Sequence, residues 1–149
     1  MLTYRDIPFS QISEVKELWE KNRKYHENTS KYFGDIYSNI VFEDRIKSFG
    51  LFENEHIKIT IAEKLSDNEI LGYCISIIEG NEGQTQSLHV AEKSRGLGIG
   101  KGLMKHHIDW MKNKGCKDII ITVAFENTST IEFYNKLGFK ENTVEMRLK

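Results

Sequence analysis

From Leu2 to Ile7 the chain alternates apolar and polar positions, a period of two that predicts a strand. Pro8-Phe9-Ser10 then reads as a turn, with Ser10 as the N-cap of a helix in which Ile12, Val15, Leu18, Trp19, Asn22 and Tyr25 recur at three- and four-residue spacing. That helix is expected to end near Asn28. The next stretch, Thr29 to Tyr37, gathers Tyr32, Phe33 and Tyr37 around Gly34, an aromatic loop of the kind that either roofs a pocket or covers core, and Ile40 to Phe49 predicts a shorter helix.

Alternation returns from His56 to Lys64, and the polar turn Ser66-Asp67-Asn68-Glu69 leads into a second strand, Ile70 to Glu79. Gly80 to Gly83 is a further turn and Gln84 to Val90 a third strand, so these segments predict a β-meander. After a glycine-rich stretch, Met104, Ile108 and Met111 mark one face of a helix over Gly100 to Lys114, which Gly115 stops. The apolar run Ile119 to Phe125 predicts a strand buried on both faces in the middle of a sheet. Asn127 to Leu137 follows as a short helix and Thr143 to Leu148 as a last strand.

Composition narrows the function classes. A chain of 149 residues with 39% hydrophobic and 29% charged residues and one proline is expected to form a single globular domain, 1–149. Its 21 Lys plus Arg against 22 Asp plus Glu give a net charge of −1, too little field to hold nucleic acid or an anionic membrane, so neither is an expected partner. No apolar run reaches the roughly 18 residues of a membrane span, and the start lacks the apolar block of a secretory signal, which makes a cytoplasmic location the expectation. Cys74 and Cys116 have no CxxC spacing and no nearby histidine, so they read as reduced thiols rather than metal ligands.

Candidate chemistry lies in Ser94-Arg95-Gly96-Leu97-Gly98-Ile99-Gly100-Lys101-Gly102, between a strand and a helix. Glycines let backbone approach a ligand, and the N–H groups and dipole of a helix start attract an anion, so a phosphate binder competes here with a plain flexible connection. A Walker loop would need glycine at position 95 and Ser or Thr at 102, where Arg95 and Gly102 stand. A dinucleotide fingerprint would need glycine where Lys101 or Leu103 stands. What remains is Arg95-x-x-Gly98-x-Gly100 after a strand ending Leu88-His89-Val90.

At these residues the chain resembles the GNAT superfamily of acyl-CoA-dependent N-acetyltransferases, whose signature is [Gln/Arg]-x-x-Gly-x-[Gly/Ala] after a strand ending in Leu-x-Val. Asn127 and Phe133-Tyr134-Asn135-Lys136-Leu137-Gly138-Phe139 are similar to its second motif, and the resembling stretch runs from about Leu71 to Phe139. The resemblance implies an α/β (α+β) domain: a twisted, mostly antiparallel sheet splayed after its fourth strand, with helices on both faces. It implies an acetyl-CoA-binding core over 71–139 and an acceptor side over 10–49. Acetyl-CoA would be the cosubstrate and an amine the partner, without a metal, and a homodimer is common among relatives. The site residues carried over are Leu88, His89 and Val90 along the pantetheine arm, with the Val90 N–H as oxyanion donor. Arg95, Gly96, Gly98, Ile99, Gly100 and Lys101 fall around the pyrophosphate, Asn127 falls on the pantetheine, and Tyr134 is placed to protonate the departing thiolate. On spacing alone, Ile131, Tyr134 and Leu137 equally read as one core-facing helix stripe.

The reaction so implied is direct transfer of acetyl to a primary amine of a small molecule or peptide in a ternary complex. An alkylamine with a pKa of about 10.4 must first lose a proton, about 4 to 5 kcal/mol uphill at pH 7. Many relatives carry a glutamate before Leu-x-Val, but Gln84 and Gln86 stand here, which leaves Glu79 as the nearest candidate base, with His89 and a water chain behind it. The same glutamines keep open a CoA-binding regulatory module without efficient catalysis. His106 and His107 read as surface or boundary residues, and His26 as a helix-end histidine near the aromatic loop. From Glu92 to Lys117 seven cations face two acids, a local +5 that suits an anionic cofactor.

Overall fold

Ile57, Ile59 and Ile61 turn to one side of their strand while Thr60 and Ala62 turn to the other, and this alternation sorts the interior into two cores. The computed structural model describes residues 1–149. Its elements are β1 (Leu2–Asp6), α1 (Lys16–Thr29), α2 (Gly34–Ser38), α3 (Phe42–Lys47), β2 (Ile57–Lys64), β3 (Ile70–Glu79), β4 (Glu82–Val90), α4 (Ile99–Asn113), β5 (Asp118–Ile121) and α5 (Thr128–Lys136). The strands lie in the order β1-β2-β3-β4-β5, antiparallel up to β4, with β5 parallel to β4. Ile12, Val15, Leu18, Trp19, Phe42 and Phe49 cover the Ile57–Ile59–Ile61 face, where Tyr73, Ile75 and Ile77 join them. On the opposite face Ile99, Leu103, Met104 and Tyr134 pack on Ala62, Leu71 and Cys74. Helices therefore flank both faces, as expected.

Two residues interrupt the ladders. Leu71 is skipped between the pairs Ala62↔Gly72 and Glu63↔Ile70, and Gln86 between Ile75↔Ser87 and Ser76↔Thr85. An extra residue reverses the alternation beyond it. Accordingly Thr85 faces α4 through Ser76, whereas Ser87 faces the other core and hydrogen-bonds the Tyr73 hydroxyl at 2.7 Å.

Several expected boundaries shift. Ser10 does not cap a helix: Phe9–Val15 is a 3-10 helix entered at Pro8 without a side-chain cap, and the α-helix begins at Lys16. The aromatic loop contains α2. The run 119–125 is not a central strand; only Asp118–Ile121 is paired, at the sheet edge, and Ile120 is 39% exposed. The reason is that Thr143 to Leu148 forms no ladder and leaves Val144, Met146 and Leu148 exposed, so β5 has a neighbour on one side only. The strand buried on both faces is β3, from Leu71 to Ile78. No helix is long and apolar enough to cross a membrane.

His107 is the largest departure, since it is wholly buried rather than at the surface. Its Nε2 lies 2.8 Å from Thr60 Oγ1 and its Nδ1 2.7 Å from Ser76 Oγ, which lies 2.9 Å from Thr85 Oγ1. Thr60 donates at 2.6 Å to Asp6, whose carboxyl is held below its usual range by Lys58 and Thr60 against the cost of burial. A carboxylate only accepts, so the Thr60 proton is committed to Asp6; His107 then carries its proton on Nε2, and Ser76 donates to Nδ1. The chain of hydroxyls and imidazole ties β1, β2, β3, β4 and α4 together. Burial, with Lys58 adding to it, pushes the His107 pKa down to about 3.

A folded-state pKa below the unfolded value of 6.5 means that the unfolded chain takes up a proton the folded chain refuses. Stability is therefore expected to fall as pH drops from 6.5 toward 3, by about 1.4 kcal/mol per pH unit for this group. Urea unfolding of His107→Gln at pH 7, 5.5 and 4.5 should show a shallower decline than the native protein.

A candidate active-site cleft between the fourth and fifth strands

β4 and β5 pair from Glu82↔Asp118 to Thr85↔Ile121 and then part. The sheet is splayed, but the splay opens inside β4, at the skipped residue Gln86, rather than after the end of that strand, leaving Gln86 to Val90 facing Thr122 to Ala124 across a gap. Because the Ala91 N–H bonds the Leu71 carbonyl at 2.7 Å, the ladder alternation turns the backbone of His89 and Ser87 toward β3 and that of Leu88 and Val90 toward the gap. The gap is part of a cleft of about 600 Å³. Asn22, Tyr25 and His26 of α1, Phe133 and Tyr134 of α5 and the glycine loop all line it.

Gly96 and Gly98 have φ of 82° and 80°, the left-handed region in which a side chain is strained, and a Cβ at either would meet nothing within 4 Å. Backbone conformation, not crowding, calls for glycine there. Gly98 is the N-cap of α4 and no side chain caps it, so the first N–H groups of the helix, those of Ile99, Gly100 and Lys101, are free to meet an anion. The Ile99 side chain is buried in the core and anchors that turn. Arg95 folds back, donating from Nε to the Val90 carbonyl at 3.1 Å, and Lys101 lies along the rim.

Tyr134 is 5% exposed, edge-on to Phe133 at 5.0 Å and to Phe139 at 5.7 Å. It is a core residue, as the helix stripe predicts, and it also lines the cleft. Burial, with a smaller contribution from Cys74, raises its pKa, and the phenol stays protonated at any working pH. Asn127, the N-cap of α5, accepts on Oδ1 from the Tyr25 hydroxyl and from Ser129, each at 3.4 Å. The contact from Tyr25 spans 102 positions of sequence and could not be read from spacing.

His89 is buried in the cleft wall, and burial, then Arg95 and His26, pushes its pKa down to about 4. His26 is in the wall as well rather than merely at a helix end. Its ring stacks on Tyr37 at 5.3 Å, its Nδ1 is buried without a hydrogen-bond partner, and burial lowers its pKa against the pull of Glu126. Glu79 is not brought to the cleft: it pairs with Glu82 at the hairpin turn, exposed, beyond the closed end of the fork.

The family model for the acetyltransferase (GNAT) family matches residues 15–139. The chain belongs to the GNAT family. An uncharacterized N-acetyltransferase of Methanocaldococcus jannaschii is 38% identical over 71 residues, covering 47% of this chain and 31% of that protein. Another, from Bacillus subtilis, is 34% identical over 65 residues, covering 44% and 26%. The chain thus spans under a third of the length of either. Among solved structures, a putative acetyl transferase from Pyrococcus furiosus shares the fold with a TM-score of 0.77 at 20% identity, over 100% of this chain and 99% of that one. GNAT proteins use acetyl-CoA as cosubstrate. A parted strand with free backbone groups, an uncapped helix start and two left-handed glycines that leave the approach open are a fit for its pantetheine and its phosphates.

Gly98→Ala should cost about 1 to 2 kcal/mol, the penalty of a Cβ in the left-handed region, measured by urea unfolding.

Proposed function

We propose that this GNAT domain transfers an acetyl group from acetyl-CoA to a primary amine of a small molecule or peptide, by direct attack in a ternary complex. One observation carries the proposal: the parting of β4 from β5 brings the Leu88 and Val90 backbone, the α4 N-terminus and Tyr134 onto a single cleft whose far end opens on α1. The cosubstrate supplies the acetyl thioester. Leu88 and the Val90 N–H hold the arm and the thioester oxygen as a strand edge holds a peptide, and the free N–H groups of α4 with Lys101 hold the phosphates. Arg95 contributes to that end by leaving the Val90 carbonyl for the pyrophosphate, and Asn127, braced by Tyr25, steadies the pantetheine.

Tyr134 donates to the sulfur as the thiolate leaves. Its raised pKa keeps the donor form fully populated, and the same desolvation raises a thiolate beside it, which makes the proton acceptable there. His26 takes the proton of the amine: it lines the cleft, burial favours its neutral form, and its Nδ1 has no hydrogen-bond partner. A covalent route through a thiol is disfavoured, because Cys74 is fully buried with its pKa pushed up to about 12. Gln86 at the fork, in place of a carboxylate, favours as second reading a module that binds CoA without turnover.

Thiol release from acetyl-CoA against a panel of amines separates these two readings, since the binding module predicts affinity for CoA and no released thiol. Tyr134→Phe should lower kcat by about tenfold or more with the KM for acetyl-CoA nearly unchanged, within the usual size of acid catalysis. Unaltered turnover would remove the proton-donor role. The acid limb of kcat/KM should lie below pH 6.5, because His26 protonates below its ordinary pKa, and it should vanish in His26→Asn.

A further inference from the structure

Arg45 differs from every other cation of α1 and of α3, the helix packed against it. On α1, Lys16 pairs with Glu43, Lys21 with Glu17, Arg23 with Glu20 and Glu27, and Lys24 with Glu27. On α3, Lys47 pairs with Asp44 at 3.6 Å, and Glu43 is held by Lys16 at 2.9 Å, so the acids of the Arg45 helix are engaged elsewhere. Arg45 alone has no carboxylate within reach. It is also half-buried, where an unpaired charge costs more than at the open surface, and burial pulls its pKa down without displacing its charge. Its guanidinium lies 4.7 Å from the Phe49 ring centre and spends one donor, from Nη2, on Gln86 Oε1 at 2.8 Å.

The location gives this charge a use. Arg45 does not itself line the cleft and meets it only through Gln86, the skipped residue at which the fork opens, which lines the cleft together with Ser87 and Asn22. We infer that Arg45, presented through Gln86 at the α1 end of the cleft, binds a carboxylate on the acceptor, so that the substrate class is an amino acid: a small molecule with its amine at the reacting centre and a carboxylate on Arg45. One uncompensated positive charge matches one negative charge, and a guanidinium with donors to spare matches the two oxygens of a carboxylate. A phosphate dianion would call for a second free cation, and the neighbouring lysines are already paired. The assignment of the acceptor rests on the proposed acetyl transfer, whereas the anion site itself does not.

The test uses acceptors that differ only in the carboxylate: lysine with cadaverine, and phenylalanine with phenethylamine. Thiol release from acetyl-CoA gives kcat/KM for each, and calorimetry on the protein with CoA present gives the affinity of each N-acetylated form without any turnover. In at least one pair the carboxylated member should be preferred by about tenfold or more in both measurements, the size of one charge-assisted hydrogen-bonded pair. In Arg45→Met that ratio should fall to about one, and in Arg45→Lys, which keeps the charge but not the fork, to an intermediate value. Thermal unfolding establishes that each variant is folded, and Arg45→Lys carries the comparison if the methionine variant is not. Equal treatment of both members by the native protein, or a preference that survives in a folded Arg45→Met, overturns the inference. If no acceptor releases thiol while N-acetylated amino acids bind in an Arg45-dependent way, acetyl transfer fails and the carboxylate site stands.

Discussion

Gln86 has no partner across β3, and the course of the chain around the cleft depends on that single unpaired position. An extra residue reverses the in-and-out alternation of the strand and bends it. Thr85 below it belongs to the α4 side, Ser87 and His89 above it to the α1 side, and Leu88 and Val90 are left with backbone groups facing a gap. Unpaired strand backbone is costly when buried and useful when a ligand can pair with it. The fork gives a sheet edge in the interior of the molecule without exposing a long edge at its surface.

Such an opening weakens the sheet toward its β5 edge, and the fold compensates just below it. The last rung of the fork, Thr85↔Ile121, is adjacent to Ser76 and through it to His107, Thr60 and Asp6. A fully satisfied polar chain fixes orientation in a way that apolar packing does not, because Ser76, His107 and Thr60 each accept from one neighbour and donate to the next, ending on the Asp6 carboxylate. Above the fork Tyr134 plays the corresponding part with apolar contacts, packed among Phe133 and Phe139 while its edge forms the cleft wall.

Charge is distributed to match the two ends. The loop end presents helix N–H groups with Arg95 and Lys101, whereas the α1 end offers neutral imidazoles, Asn22 and Gln86, whose Oε1 accepts from the unpaired Arg45 guanidinium. The near-zero net charge of the chain conceals this division, since most of the cations on α1 and α3 are cancelled by local partners.

Local pattern was enough for the meander, for α4 and its glycine entry, and for the two motifs that carry the family resemblance, because turns, alternation and left-handed glycines are properties of a few consecutive residues. It failed where a partner from elsewhere decides the outcome. The run after Asp118 is apolar enough for a central strand, yet it lies at an edge because the chain beyond Phe139 does not pair with it. His107 looks like a surface histidine until Thr60 and Ser76 are brought to either side of it, and Glu79, near the motif in sequence, is carried by its hairpin to the closed end of the fork. His26, Tyr25 and Arg45 follow no motif at all. By itself the sequence determined most of the elements and the glycine loop that can receive phosphate; the pairing of β4 with its neighbours decided which side chains and backbone groups share the cleft, because strand register and burial depend on contacts between residues far apart in the chain.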